Sequence, residues 1–151
     1  MPVDQKAPVV ETGQVKVAAG MEAVWRVLTA VERWPEWNPD IRDVRLRGRL
    51  EEGTTFTWRS GPGTITSTLL EVEPPRFIAW MGVMLGIKAV HVWRLDRTAG
   101  GTMVTTEESW DGPVPWVFRG RSRRMLRDAI NSGLEHLKER LERQQPETPR
   151  P

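Results

Sequence analysis

Turn-forming residues divide the middle of this chain, from Ile41 to Asp111, into short segments. The dividers are Glu51-Glu52-Gly53, Gly61-Pro62-Gly63, Glu73-Pro74-Pro75-Arg76 and Ala99-Gly100-Gly101. Glycine and proline supply the backbone angles that tight turns require, so each cluster is expected to reverse the chain. Between the clusters, apolar and polar side chains tend to alternate with the period of two that indicates β-strands. Strands joined by such short turns predict an antiparallel meander.

The pattern predicts about seven strands, one of which precedes the meander. In that first strand Val15 and Val17 alternate with polar neighbours. The strand after Gly86 has the clearest pattern, because one of its faces carries an apolar series that contains a single histidine. That face consists of Ile87, Ala89, His91, Trp93 and Leu95. A sheet with one apolar face needs another element to cover that face.

Helical spacing appears on both sides of the meander. The segment Met21–Leu28 places its apolar residues on one side of a short amphipathic helix. Two prolines interrupt Trp34–Pro39, which is therefore expected to form a tight turn or a stub of helix. A long helix is predicted from about residue 116 to residue 144. Its apolar stripe consists of Leu126, Ile130, Leu134, Leu137 and Leu141.

The order of strand, short helices, strands and long helix predicts an α+β fold. A length of 151 residues fits one domain, which is expected to span residues 12–144. Flexible segments are expected at residues 1–11 and 145–151. The curved antiparallel sheet should wrap around the C-terminal helix, because the helix has the matching apolar stripe. Such a sheet rarely closes perfectly on one helix, so the space between them is expected to form a ligand pocket.

The composition excludes several classes of function. The chain has no cysteine, which rules out disulfides, thiolate chemistry and metals held by thiolates. Its two histidines lie on different predicted elements and no glycine-rich phosphate motif is present, so we expect neither a metal nor a cofactor. The 22 basic residues are nearly balanced by 20 acidic ones, which argues against nucleic acid as a partner. No segment has the roughly 20 apolar residues that span a bilayer, so we expect a cytoplasmic protein without integral membrane association.

Several motifs resemble one known family. The segment Val24-Trp25-Arg26-Val27-Leu28, followed by Trp34-Pro35-Glu36-Trp37-Asn38-Pro39, is similar to the opening of the START-like (SRPBCC) superfamily. Within it, the resemblance is to the polyketide cyclase/dehydrase and lipid transport group, over about residues 12 to 143. Further similar segments are Glu71–Arg76, His91–Leu95, Gly101-Thr102 and Glu108–Gly112, with Trp80 at a position where the family usually has a strand tryptophan. The resemblance implies a helix-grip fold with a hydrophobic cavity. Members of the superfamily include lipid carriers, hormone receptors, aromatases, cyclases and co-chaperone domains.

His91 and Glu108 are the candidates for polar groups in the pocket. His91 is the one histidine on an apolar strand face, and the resemblance places this strand around the cavity. The alternative is a hydrogen-bonded histidine of the core. Glu108 shares its parity with Val104 and Trp110, which predicts that it faces inward and pairs with His91 or an arginine. The alternative for Glu108 is an ion pair at the rim.

Large apolar side chains are the candidates for the wall of the pocket. About half of the aromatic ones are expected to contact a ligand, because core and cavity wall overlap in this fold. The candidates are Phe56, Trp58, Trp80, Trp93 and Trp110 on strands, and Ile130 on the long helix. Trp34 and Trp37 are expected to anchor the proline-rich turn. His136 is expected to be a surface residue.

The start of the long helix is strongly basic. Its arginines are Arg119, Arg121, Arg123, Arg124 and Arg127. We interpret this run as a solvated face rather than a phosphate or nucleic-acid site, with contact to an anionic membrane surface as a minor alternative.

Three functions are consistent with the sequence. The first is the binding of a small hydrophobic or aromatic molecule, such as a lipid or a polyketide-like compound. The second is a cyclase or dehydratase in which His91 acts as acid or base and Glu108 orients it. The third is a protein-interaction module that uses Trp116 and Phe118 as an exposed apolar patch. A monomer and a homodimer both remain open.

Overall fold

The computed structural model of the protein describes residues 3–61 and 63–144, except the side chain of Gln144. Seven strands of these residues form one antiparallel sheet, in the order β1-β7-β6-β5-β4-β3-β2. The strands are β1 (Val9–Val17), β2 (Arg42–Leu46), β3 (Thr55–Ser60), β4 (Gly63–Glu73), β5 (Phe77–Met84), β6 (Ile87–Thr98) and β7 (Gly101–Asp111). The predicted meander is confirmed, because β2 to β7 are neighbours in chain order. The first strand, β1, pairs with the last strand, β7, and forms one edge of the sheet.

Four helical segments flank the strands. They are α1 (Met21–Thr29), a 3-10 helix (Val31–Glu36), α2 (Pro113–Val117) and α3 (Arg119–Gln144). The first half of the proline-rich segment predicted as a turn or stub of helix, residues 34–36, falls in the 3-10 helix, which contains Pro35. Together with the sheet and the long α3, these segments confirm an α+β helix-grip fold.

The long helix starts later than the sequence pattern predicts. Residues 113–117 form the separate helix α2, and α3 begins at Arg119. Phe118 between them has φ −111° and ψ 51°, which are not helical angles. Pro113 at the first helical position favours this extra helix start, because a proline there has no hydrogen bond to lose.

The first strand begins earlier than predicted, at Val9, inside the segment 1–11 that was expected to be flexible. Val9 pairs with Trp110 and Val10 with Ser109. Pairing with β7 therefore extends β1 towards the N-terminus, beyond the residues whose alternation predicts the strand. Val3 is buried on the outer face of the sheet in a small cluster with Ala79 and Val92. Residues 1–2 and the predicted tail, 145–151, lie outside the described residues.

The apolar stripe of α3 forms the centre of the core. All five predicted stripe residues are buried, in one cluster with the inward-facing side chains of the sheet. Gly13 of β1 permits this close packing. A Cβ atom at Gly13 would lie 2.8 Å from Cγ2 of Ile130 and 2.9 Å from Cδ1 of Leu134. The absence of a side chain at Gly13 therefore sets how closely α3 approaches the sheet.

A second contact fixes the far end of α3. The carboxylate of Glu142 accepts a hydrogen bond from the backbone N–H of Ala18, at 3.0 Å, and it pairs with Lys138. These hydrogen bonds, the one from Lys138 first, lower the pKa of Glu142. The last turns of the helix are thus tied to the chain that leaves β1.

We expect Gly13→Ala to destabilise the protein by roughly 1–3 kcal/mol, because the added methyl group overpacks the contact between β1 and α3. The matched control is Gly133→Ala on α3, where a Cβ atom would meet nothing within 4 Å. That change should stabilise the protein by roughly 0.5–1 kcal/mol through helix propensity. Urea unfolding measures both, and equal effects of the two changes would contradict this account of the packing.

Candidate ligand-binding site

One row of inward-facing residues crosses the sheet and carries the candidate polar groups. Trp80 of β5 lies opposite His91 of β6, and His91 lies opposite Glu108 of β7. Glu108 in turn lies opposite Glu11 of β1. Because directly opposite residues of an antiparallel pair point to the same face, the register alone brings these side chains together.

His91 and Glu108 form a close pair, which is the first of the two pairings that the sequence allows for Glu108. The His91 Nδ1 atom lies 2.7 Å from Oε1 of Glu108. The indole N–H of Trp110 donates to the other carboxylate oxygen, at 2.5 Å. On the far side of the ring, Nε2 of His91 lies 2.7 Å from the hydroxyl oxygen of Thr106. Both ring nitrogens of His91 are therefore occupied by protein groups.

The Thr106 hydroxyl allows this network to accommodate a proton. The hydroxyl lies 3.0 Å from the carbonyl oxygen of Val92, to which it can donate. In that orientation it accepts from Nε2, and His91 is an imidazolium that also donates to Glu108. When the hydroxyl turns to donate to Nε2, His91 is neutral and still donates from Nδ1 to Glu108. One hydroxyl rotation thus satisfies His91 in both charge states.

The two inward carboxylates of the row have separate partners. Glu11 pairs with Arg127 at 3.2 Å and with Arg123 at 3.7 Å, both from α3. Glu108 pairs with His91 instead. Since like charges on directly opposite residues destabilise a sheet, these partners make the row tolerable. They also show that two arginines of the basic run hold α3 against β1, which the sequence pattern does not reveal.

The aromatic candidates form a continuous cluster beside the polar pair. The rings of Trp80 and His91 are 5.0 Å apart, and those of His91 and Trp93 are 5.1 Å apart. Trp34 extends the cluster, with ring distances of 5.7 Å to Phe56, 6.0 Å to Trp58 and 5.5 Å to Trp80. The indole N–H of Trp34 also donates to the carbonyl of Leu28, which anchors the 3-10 helix as expected.

Burial separates the predicted wall residues into two groups. Phe56, Trp80, Trp93 and Ile130 are enclosed by other side chains, with at most 6% of their surface exposed. Trp58 and Trp110 are only partly buried. The side chains of His91 and Glu108 retain 16% and 14% exposure. The polar pair and its partly buried neighbours are accessible to solvent, whereas the aromatic centre is enclosed.

Accessibility of the inward face increases towards one end of the sheet. Along β6, the inward residues Leu95 and Trp93 are buried, whereas His91, Ala89 and Ile87 are partly accessible. The same change occurs along β7, from buried Thr106 to partly accessible Glu108 and Trp110. We call this end, which contains the β3–β4 and β5–β6 turns and α2, the open end. Ile87 and Ala89 join the site here, and their shared parity with His91 is the sequence signal for them.

One buried donor in the site has no partner. The indole Nε1 of Trp93, which shares a face with His91, makes no hydrogen bond within the described part of the chain. A buried N–H without a partner costs about 1–3 kcal/mol. The enclosed aromatic cluster therefore contains a donor that no group of the described residues satisfies.

The remaining candidates lie away from the site. His136 of α3 is half-buried rather than fully on the surface, and its Nδ1 lacks a hydrogen-bond partner in the described residues. Trp37 borders a separate groove of about 380 Å³ between α1 and the end of α3.

Residues 3–61 and 63–144 contain no cluster of three or more residues suited to hold a metal ion. No helix of this part is long and apolar enough to cross a membrane.

The chain belongs to the polyketide cyclase/dehydrase and lipid transport family, whose model matches residues 9–142. No curated protein matches the chain. The fold is similar to that of a hypothetical protein from Helicobacter pylori, with a TM-score of 0.79 and 16% identity over 92% of this chain and 91% of the other. A START superfamily protein from Mycobacterium smegmatis gives a TM-score of 0.74 at 16% identity, over 89% and 97% of the two chains.

A third similar structure is a longer protein. It is the di-domain aromatase/cyclase StfQ of the steffimycin biosynthetic pathway, with a TM-score of 0.76 and 18% identity. The match covers 89% of this chain but only 51% of StfQ. At these identities the similarities establish the START-like fold, and the family supports a fold that binds hydrophobic ligands.

We expect Glu108→Gln to cost less than about 1 kcal/mol, because the amide can accept from Trp110 and donate to a neutral His91. Glu108→Leu leaves both of these groups without a partner and should cost about 2–4 kcal/mol. The control is Glu107→Leu on the outer face of the same strand, which removes only the exposed hydrogen bonds that Gln5 and Thr12 donate to Glu107. Thermal or urea unfolding distinguishes the three, and equal losses for both Glu108 variants would contradict the proposed network.

Proposed function

We propose that the protein binds a small, largely apolar or aromatic molecule, such as a lipid or a polyketide-like compound, between the sheet and α3. The observation that carries this proposal is a solvent-accessible His91–Glu108 pair beside the apolar and aromatic side chains of the inward face. Binding sites for small molecules typically combine an apolar lining with a few placed polar groups. The ligand enters at the open end, where the inward face is accessible.

Apolar contact supplies most of the affinity in this proposal. Each Å² of apolar surface removed from water contributes about 25 cal/mol, before the costs of immobilising the ligand. Ala89 and Trp110 are the partly buried apolar side chains nearest the polar pair in the sheet register, and Trp58 lies further away on the same face, on β3. The polar pair then orients the ligand, and the free N–H of Trp93 suits a carbonyl, enol or phenol oxygen that reaches between the rings.

A blocked open end tests the location of the site. Ala89→Phe places a ring on the inward face next to Trp110, and it should weaken ligand binding at least about ten-fold by occupying the space. The matched control is Val90→Phe, one residue along β6 on the outer face. Binding is followed by tryptophan fluorescence with long-chain fatty acids and aromatic polyketides. The location is wrong if the Val90 variant loses as much affinity as the Ala89 variant.

Acid–base catalysis by His91 is the second candidate function. The observation in its favour is that rotation of the Thr106 hydroxyl supports both charge states of His91. A cyclase or dehydratase that acts on a poly-carbonyl substrate needs little more than a shaped pocket and such a group. Against it stands the occupation of both ring nitrogens, because a substrate would have to displace Thr106 or Glu108.

If His91 is the acid or base, His91→Ala abolishes conversion of a poly-β-carbonyl substrate while the ligand still binds. The control is His136→Ala, which changes the other histidine of the chain, on α3, and should leave conversion unchanged. Product formation is measured by chromatography, and binding by fluorescence. Full turnover by the His91 variant would exclude this role and leave binding as the function of the site.

A further inference from the structure

Every exposed large apolar side chain in the described part of the chain lies at the open end. We call this set the end patch, and it consists of Val83, Leu85, Trp116, Val117, Phe118 and Met125. Leu85 and Val117 are the most exposed, at 80% and 72%. Exposed apolar side chains grouped at one end of a soluble protein indicate an interaction site.

The end patch spans two parts of the chain that touch each other. Val83 and Leu85 belong to the β5–β6 hairpin, and the other members follow β7 in α2 and at the start of α3. The backbone N–H of Val114 donates to the carbonyl of Gly86 at the hairpin tip, at 3.4 Å. A Cβ atom at Gly86 would lie 3.0 Å from the side chain of Val114. The hairpin tip and α2 therefore form one surface.

The hairpin tip displays a leucine at a conformational cost. Met84 pairs with Ile87, so Leu85 and Gly86 form a two-residue turn. Their φ angles are 26° and 77°, and such turns favour asparagine, aspartate or glycine at the first position. A leucine with positive φ is strained, and its side chain gains little packing because it is mostly in water. The presence of leucine at this position does not stabilise the isolated fold. An exposed apolar side chain that takes part in an interaction accounts for it.

Positive charge lies beside the part of the end patch that belongs to α2 and α3. Residues 112–127 include five arginines and no aspartate or glutamate. Arg121 and Arg124 make no ion pair within the described part of the chain. Arg121 precedes Met125 by four residues on α3, so these two side chains lie on one face of the helix. Asp111 and Asp128 are the acids on either side of this range, and Asp111 already accepts hydrogen bonds from Trp116 and Gly112.

We propose that the end patch docks on the surface of a lipid bilayer that contains anionic lipids. Leu85, Val117 and Phe118 enter the boundary between headgroups and acyl chains, and Arg121 and Arg124 bind lipid phosphates. Tryptophan, phenylalanine and leucine beside arginines are the side chains that interfacial segments use. Each arginine near an anionic surface contributes about 1 kcal/mol. The docking needs only the outer surface and does not depend on the proposed ligand.

Docking at this end would place the ligand site next to the bilayer. His91 lies four residues from Ile87 at the hairpin tip, or about 13 Å along the strand. An apolar ligand could then pass between bilayer and site with a short path through water. A contact with a soluble protein would not provide this path for an apolar ligand, so the geometry favours a bilayer as the partner of the end patch.

Co-sedimentation with lipid vesicles tests the proposal on the full chain. The vesicles contain phosphatidylcholine alone, or phosphatidylcholine with about 30% phosphatidylglycerol. The protein should sediment with the anionic vesicles at least about ten-fold more strongly than with the neutral ones, and about 0.5 M salt should weaken this binding. Equal binding to both vesicle types, or no binding to either, would overturn the proposal.

Two double variants test the two halves of the end patch. Arg121→Glu with Arg124→Glu, and Leu85→Ser with Val117→Ser, should each weaken vesicle binding at least about ten-fold. The control, Arg47→Glu with Arg49→Glu, makes the same charge change at exposed residues beyond the opposite end of β3. An equal loss in this control would show attraction by overall charge and would refute a specific docking surface.

Two further measurements keep the outcomes apart. Far-ultraviolet circular dichroism tests whether each variant is folded. We expect folded variants, because all six replaced residues are exposed. Analytical ultracentrifugation detects self-association. A dimer that the Leu85/Val117 variant abolishes, without vesicle binding by the parent protein, would show that the end patch joins two copies and that the bilayer proposal is wrong. Ligand titrations of the same variants report on the proposed function separately.

Discussion

The packing of α3 against the inward face of the sheet supports everything else in this molecule. The helix presents one continuous apolar stripe, and the sheet presents one apolar face. Gly13 lets the two approach until side chains of the helix meet the backbone of β1. At one end, Glu142 and Ala18 close the contact. Because the inward residues of β6 and β7 are buried towards that end and partly accessible towards the other, the same packing that stabilises the fold also leaves one end open.

The open end concentrates polar groups that would be costly in the middle of the core. His91 pairs with Glu108, Thr106 contacts the other ring nitrogen of His91, and Trp110 donates to Glu108. Each polar side chain of this network therefore has a partner. Buried polar networks are stable only when they are fully satisfied. Trp93 is the exception, because its buried N–H has no partner in the described residues. A ligand acceptor that bonded to the Trp93 N–H would gain more free energy than one that had to replace a hydrogen bond of the network.

The outer surface of the open end differs from the rest of the protein. Its exposed apolar side chains and its arginines come from segments that meet only in the folded chain, the β5–β6 hairpin and the start of α3. Arg123 and Arg127 of the same run turn back to Glu11 and stabilise the fold. One basic segment thus divides into arginines that hold the helix on the sheet and arginines that remain available at the surface.

The sequence by itself determined the strands, the turns between them, the stripe of α3 and the inward direction of Glu108. Each follows from periodicity or from glycine and proline, which act on the chain locally. It could not place the start of β1 at Val9, because pairing with β7 extends that strand. Nor could it separate the enclosed Trp80 from the accessible Trp110, since both have the parity of the inward face. Only the tertiary structure decided which end is closed, which arginines face Glu11, and that the hairpin tip meets α2, because these contacts join residues far apart in the chain.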